Sequence, residues 1–219
     1  MTAGRTSLRE QKKQATREAL RAAALRLAVE RGPDNVRVDD IAEAAGVSTR
    51  TYNNYFSSRE QAIVAAVTAE RESRVAAAVA ARPPGERLSD AVVEAIVEQY
   101  TGPDDRVRDV LLLITARPTL RSAFVDSAAA IEGPLAAVLA ERRSEDVDDL
   151  SPQVLAAGVA AAVRVGLRRW LRTTLESGSA GGLVVPSGSL PDLLRAALAP
   201  LVPALDASAG KESRPRRRR

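Results

Sequence analysis

Apolar residues recur along this chain at spacings of three and four, and regular alternation at a spacing of two is rare. That rhythm lines one face of an α-helix, so an all-α fold is expected. A first helix is predicted from Ser7 to about Arg31. Ser7 and Glu10 have capping-box spacing, Leu20, Ala23, Ala24, Leu27 and Ala28 form the stripe, and Gly32-Pro33 ends it. Residues 1–6 read as a disordered arm. Between Val38 and Glu60 the pattern tightens into two short helices and the start of a third. Ile41, Ala42 and Ala45 make a narrow apolar face, with Asp39, Asp40 and Glu43 outside it. Gly46 stands where a helix ending in a left-handed residue favours glycine, Val47 fills the corner, and Ser48 can cap the next helix. That helix, about Thr49 to Tyr55, is too short to be stable alone. Tyr52, Tyr55 and Phe56 are placed to hold it from behind. Ser57-Ser58-Arg59-Glu60 reads as an S-x-x-E capping box and opens a fourth helix, expected to reach about Ala81 before Arg82-Pro83-Pro84-Gly85.

Further helices are predicted from Ser89 to about Thr101 and from Pro103 to Arg117. In the second, Val110 to Ile114 is apolar nearly all round and should be buried. Leu120 to Arg143 follows, with a kink expected at Gly133-Pro134. Residues 144–149 read as an acidic loop, and Ser151-Pro152 starts a helix to about Glu176. A Gly- and Ser-rich loop at 178–188 leads to a last helix, Ser189 to about Leu205, whose end Pro200 and Pro203 should bend. The expected division is an N-terminal domain at 1–60, a helical domain at 61–205 and a disordered basic tail at 206–219. The first boundary falls inside the fourth helix, which would couple the two domains mechanically.

Composition narrows the chemistry. With 219 residues, 45 % hydrophobic but 3 % aromatic, the core must be built from Ala, Val and Leu. The absence of Cys and His excludes disulfides, thiolate metal sites and any Ser-His or Cys-His pair. The carboxylates fall in caps, loops and exposed faces with no metal-ligand spacing, and no Gly-rich loop follows a strand, so neither an enzyme nor a metal or nucleotide cofactor is expected. No apolar run approaches a membrane span and no signal-peptide core is present, which reads as a cytoplasmic protein with no membrane partner. Residues 1–60 carry 11 Lys and Arg against 8 Asp and Glu, the middle of the chain is mildly acidic, and the tail is basic. A basic N-terminal region suits a phosphate backbone. Arg5, Arg9, Lys12, Lys13 and Arg17 cluster ahead of the first apolar stripe.

The polar side of the second short helix carries Thr49, Arg50, Thr51, Asn53 and Asn54. These are compact donors and acceptors of the kind that pair with base edges and phosphates. Arg50 and Asn54 are the candidates for base readout, while Thr49, Thr51 and Asn53 suit either role. A plain helical hairpin with polar turns has the same spacing. A helical small-molecule carrier or interaction scaffold would explain residues 82–205 equally well, but would leave the basic helix unused.

Three segments carry a family resemblance: AALRLAVERG (23–32), VDDIAEAAGVS (38–48) and TYNNYFSSREQAI (51–63). Over about Thr16 to Val67 the chain resembles the DNA-binding domain of the tetracycline-repressor (TetR) family. Arg37, Arg50 and Asn53 depart from residues common in the family, and RTYNNYFSSRE is similar to actinobacterial members, including the mycofactocin-type branch with acyl-CoA-responsive regulators. The resemblance implies a homodimeric transcriptional regulator, most often a repressor, that binds a palindromic double-stranded DNA operator and leaves it when a small ligand enters the C-terminal bundle. It also places Tyr55, and with the helix N-terminus Arg59, at phosphates. Dimerisation is expected through the helices at 151–176 and 189–205, with Leu155, Val159, Val163, Gly166, Leu194 and Leu198 facing a twin; the alternative is that these stripes are internal core. An apolar or amphipathic ligand, with acyl-CoA as the example, would meet Tyr100, Phe124 and Trp170, and Arg117 and Arg121 would receive its charged end.

Overall fold

The computed structural model describes residues 3–68, 71–101, 114, 116–179 and 189–207, and among them every regular element is helical. The α-helices are α1 (Ala3–Arg31), α2 (Val38–Ala44), α3 (Thr49–Asn53), α4 (Arg59–Thr68), α5 (Arg71–Ala81) and α6 (Leu88–Thr101). They are followed by α7 (Pro118–Asp126), α8 (Glu132–Arg143), α9 (Leu150–Ser179), α10 (Leu190–Leu198) and α11 (Val202–Asp206). The chain forms two compact units, Met1–Glu70 with Asp104–Ser127, and Arg71–Pro103 with Ala128–Arg219.

In the first unit the expected stripe of α1 is the core. Leu20, Ala23, Ala24, Leu27 and Ala28 are buried, and α1 packs on α2 and α4. Ile41, Ala42, Ala62, Ile63 and Val64 close the other side. Helix α1 begins at Ala3, so the expected arm is helical from there and Ser7 lies inside the helix instead of capping it. The Arg, Glu, Gln, Lys and Ala around Ser7 are all better helix formers than a serine is a stop signal. Helix α7 also belongs to this unit, packing on α4 with Leu120, Phe124 and Val125 buried.

The second unit is built on α9. Helices α8 and α10 pack along it, α5 packs on α6 and α8, and α10 and α11 lie on α6. Polar groups close the ends of these helices. The Arg142 guanidinium donates to the carbonyls of Val79, Arg82, Pro83 and Glu86, so a cation meets the negative end of α5. At the start of α6, the Asp206 carboxylate accepts from the Ser89 N–H at 2.9 Å and the Ser89 hydroxyl at 2.8 Å. By length and composition Pro118–Arg143 and Leu150–Thr173 would pass for membrane spans. Leu120, Leu135, Leu139, Leu167 and Leu171 of these helices are buried in the protein, while Leu150 is exposed.

Several boundaries differ from the sequence reading. Pro118 marks a boundary as expected and is itself the first residue of α7, where its missing N–H costs nothing. The irregularity between Pro118 and Arg143 is a 3₁₀ turn at Ser127–Ile131. It precedes Gly133-Pro134, which sit in the first turn of α8, where proline needs no kink. The acidic segment is a turn, begun by Ser144 in the left-handed region at φ 55°. Helix α9 starts at Leu150, one residue ahead of the expected Ser151 cap. The last helix has the full box at Ser189 and Asp192, and a 3₁₀ turn at Ala199–Leu201 interrupts it beside Pro200 and Pro203. The continuity of the fourth helix across 69–70, the apolar run at 110–113, most of the loop at 178–188 and the tail beyond 207 lie outside the described residues.

The faces assigned to dimerisation are corrected by the packing. Val159, Val163, Leu194 and Leu198 are fully buried within the one chain, and Leu155 is half-buried. A Cβ on Gly166 would lie 3.2 Å from Leu194 Cδ2, so the glycine lets α10 approach α9 in the same molecule. These residues are internal core, because α10 already occupies the low side of α9. The large apolar residues exposed on the described part of α9 are Leu150, 77 % exposed, Val154, 65 %, and Val165, 56 %.

Candidate nucleic-acid interface

The turn between α2 and α3 is fixed by the backbone. Gly46 adopts φ 70°, and its N–H donates to Glu43 O while the Val47 N–H donates to Ala42 O. This is the double hydrogen bond that closes a helix through a left-handed residue. Helix α2 starts without a hydroxyl cap, since Arg37 holds that place. Its loss is offset by Asp40, whose carboxylate accepts from the Arg37 N–H at 3.0 Å. Ser48 caps α3 by accepting from the Thr51 N–H at 3.1 Å.

Two of the three aromatics expected behind α3 hold it, whereas Tyr55 is only half-buried and outside that core. Tyr52 and Phe56 are buried, with ring centroids 5.8 Å apart, and each such buried side chain is worth about 1.5–3 kcal/mol. The Tyr52 hydroxyl donates to Ser58 O at 2.8 Å, tying α3 to the start of α4. Burial, aided by the negative charge of Glu60, pushes the Tyr52 phenol up to about 12. Arg17 of α1 lies over the Phe56 ring at 5.9 Å. The helix ends at Asn53, short of the expected Tyr55, because its last turn tightens: Asn54 N–H bonds Thr51 O and Tyr55 N–H bonds Tyr52 O.

On the front, the polar residues fall into two groups. Thr49 and Thr51 are engaged within the protein. The Thr49 hydroxyl donates to Asp39 Oδ1 at 2.7 Å, and the Thr51 and Ser48 hydroxyls are bonded to each other at 2.9 Å. Arg50, Asn53 and Asn54 are exposed, Tyr55 is half-buried, and none of their side chains bonds another described residue. Arg9, Lys12, Lys13 and Arg17 are exposed on the N-terminal half of α1. This face can offer a guanidinium, two carboxamides and a phenol to DNA.

Arg59 is placed differently from the expectation. Its Nη1 donates to Asp34 O at 3.0 Å and Val36 O at 2.8 Å, and its Nε to Glu60 Oε1 at 2.8 Å. A cation is disfavoured at a helix N-terminus, and these carbonyls of the preceding loop offer it a better site. Burial raises the Glu60 carboxyl, but the hydrogen bond from Arg59, together with its own backbone N–H, the Arg59 charge and the Ser58 hydroxyl, holds it below the usual range. The cap of α4 also shifts by one residue. Ser58 Oγ accepts from the Gln61 N–H at 3.1 Å, and Gln61 Oε1 accepts from the Ser57 N–H at 2.7 Å. Gln61 can do what was expected of Glu60 while Glu60 pairs with Arg59.

The residues assigned to a ligand divide between the two units. Arg117, Arg121 and Phe124 belong to the first, Tyr100 and Trp170 to the second. Arg117 Nε pairs with Asp34 Oδ2 at 2.8 Å, so its charge is directed to the loop before α2 and not to an apolar channel. Arg121 and Trp170 are half-buried, and Phe124 is core. Tyr100 lies against Arg71, whose guanidinium is 4.4 Å from the ring centroid. Arg71 is buried, and burial lowers its basicity. The sequence reading missed Arg71. Its only signal was its position one and two turns before Val75 and Val79, both of which are buried. Asp39, Asp40 and Gln61 were also missed as partners: the Asp39 bond crosses the turn to α3, Asp40 serves an N-cap residue that has no hydroxyl, and Gln61 shifts a motif by one residue.

The family model for bacterial regulatory proteins of the tetR family matches residues 20–66, and that for the MftR C-terminal domain matches residues 82–206. The HTH-type transcriptional regulator TcmR of Streptomyces glaucescens is 30% identical over 177 residues, covering 74% of this chain and 76% of that protein. The crystal structure of Thermus thermophilus FadR, a TetR-family transcriptional repressor, in complex with lauroyl-CoA, aligns with a TM-score of 0.48 at 24% identity, covering 85% of this chain and 92% of that one. On the two family matches and the kinship with TcmR, this chain belongs to the TetR family and is a DNA-binding transcriptional regulator.

Proposed function

We propose that the chain works as a homodimeric repressor in the cytoplasm, holding a palindromic operator and releasing it when a small apolar or amphipathic molecule binds the second unit. The observation that carries the reading is the outward row of Arg50, Asn53 and Asn54 on a helix held from behind by buried Tyr52 and Phe56. Base readout belongs to these three, with Tyr55 at a phosphate, and Thr49 and Thr51 contribute through their partners. Arg59 acts on DNA indirectly, by setting the loop between α1 and α2. The test is operator binding by fluorescence anisotropy on DNA flanking its own gene, at two salt concentrations. Arg50→Ala is expected to cost about 1–3 kcal/mol on the operator and to relax one base position. Binding indifferent to that substitution removes the recognition face.

The twin is proposed to dock on the outer side of α9, α10 and the 3₁₀ turn after it, where Val154, Ala157, Val165, Ala196, Ala199 and Pro200 are exposed. In a four-helix bundle made this way, α9 buries both of its apolar sides. For the ligand, an acyl-CoA is the leading candidate, with Arg71 beside Tyr100 replacing Arg117 and Arg121 as the cation it meets in the second unit. Titrating long-chain acyl-CoAs while following Trp170 fluorescence and operator release tests this. Release by an uncharged hydrophobic molecule alone would leave the apolar site and remove the anionic one.

A further inference from the structure

The bond from Thr49 to Asp39 lies on the recognition face and is not needed to hold α3, which Ser48 caps and Tyr52 and Phe56 anchor. Thr49 is the first residue of α3 and Asp39 lies in the first turn of α2. At 2.7 Å to a carboxylate, the Thr49 hydroxyl has committed its only proton, and it can face outward with lone pairs and a methyl group alone. Asp39 is exposed, and its second oxygen makes no hydrogen bond to any described residue. Both members of the pair are therefore acceptors toward anything that docks. In the major groove the base edges divide on this property: cytosine N4 and adenine N6 donate, whereas guanine O6 and N7 and thymine O4 accept. A carboxylate also repels phosphate, so this corner of an otherwise basic face gains nothing from the DNA backbone.

We propose that Asp39 and Thr49 act as one acceptor unit that selects a base pair presenting an exocyclic amino group, cytosine or adenine, at one position of each half-site. The proposal rests on the reading of the α3 front as the DNA face. Asp39 is then a specificity-determining residue on α2, acting both directly and by orienting Thr49.

The experiment is selection of duplexes from a randomised pool by the full-length chain, compared with Asp39→Asn, Thr49→Val and Thr49→Ser. Asparagine keeps the shape of Asp39 and its bond to Thr49 but adds a donor. It is expected to lose about tenfold of discrimination at one position, with guanine or thymine now accepted there. Thr49→Val should relax the same position, and Thr49→Ser, which keeps the hydroxyl, should retain the wild-type choice. Thermal melting should not move by more than a degree or two for any of them. Identical selected sequences for wild type and Asp39→Asn overturn the proposal. So does a loss spread evenly over all positions, which would mark a structural role. A wild-type chain that selects no sequence removes the DNA reading itself and the proposal with it, and it is told apart by appearing before any variant is compared.

Discussion

Helix α3 has two chemically different sides, and α9 has two similar ones. On α3, Tyr52 faces in, with Phe56 just beyond, while Arg50, Asn53 and Asn54 face out. On α9, Val159 and Val163 face in, while Val154 and Val165 face out. A helix with one oily side can be oriented from its own residues, because water selects the other side. A helix that is apolar on both sides is oriented by whichever neighbour claims a side first. Helix α10 claims the side of α9 at Gly166, and Leu201 of the 3₁₀ turn after it meets Gly158, where the backbone can be approached most closely. The other side is then the one available to a second copy.

The largest effects should come from testing the two sides of α9 against each other. Val163→Asp puts an unpaired charge in the core and is expected to unfold the second unit, a cost of several kcal/mol. Val165→Asp should keep the monomer's helical signal and convert a dimer to a monomer in light scattering. If Val165→Asp unfolds the chain, or leaves the dimer intact, the assignment of sides is wrong.

Next in size is the contrast between two arginines of the first unit. Arg59→Ala removes charge-assisted bonds to Asp34 and Val36 and should cost about 1.5–3 kcal/mol of stability in urea unfolding. Arg50→Ala, on the exposed front, should leave that unfolding curve unchanged. Equal stability losses would mean that the front of α3 is less independent of the fold than its hydrogen bonds indicate.

Tyr52→Phe is smaller, about 1 kcal/mol for the bond to Ser58 at neutral pH. Its signature is in the pH dependence. The folded phenol titrates at about 12 against an ordinary 10.0, so the neutral form is favoured on folding. That contribution is complete below pH 10 and is lost as pH rises toward 12, since the unfolded chain gives up the proton first. The phenylalanine variant should lose less stability than wild type between pH 9.5 and 11.5. The smallest effect is expected at the start of α6. Burial raises the Asp206 carboxyl, but the Ser89 N–H, its hydroxyl and the Arg87 charge together hold it below the usual range. Its contribution is complete above the ordinary carboxylate range and is lost as pH falls below that range toward the lowered folded value. Asp206→Asn keeps an acceptor, so it should cost only about a few tenths of a kcal/mol at pH 7 and should flatten the acid limb.

The same contrast explains what could be read in the sequence. The stripe of α1, the turn at Gly46, the Ser48 cap and the aromatic back of α3 depend on residues within one or two turns of each other, and all were legible. The side of α9 that faces α10, the exit of Arg117 to Asp34 and the turn of Arg59 toward Asp34 and Val36 depend on partners far along the chain. Their residue types allowed solvent, DNA or protein equally. The α4 cap was misread for a local reason: Ser57-Ser58 followed by Glu60-Gln61 contains two overlapping boxes, and only the demand of Arg59 for Glu60 chooses between them.

The carboxylate at Asp206 caps a helix that starts at Leu88, across a separation of 117 residues from Ser89. On the ribosome, α6 is made long before its cap exists. The second unit must therefore wait, with the first turn of α6 uncapped and α9 without α10, until synthesis passes residue 206. Helices α1 to α4 need no such delay to pair among themselves. The nascent chain thus completes α3 early and its second unit late. A truncation that removes Asp206 would strip the cap from a helix begun in the first half of the protein.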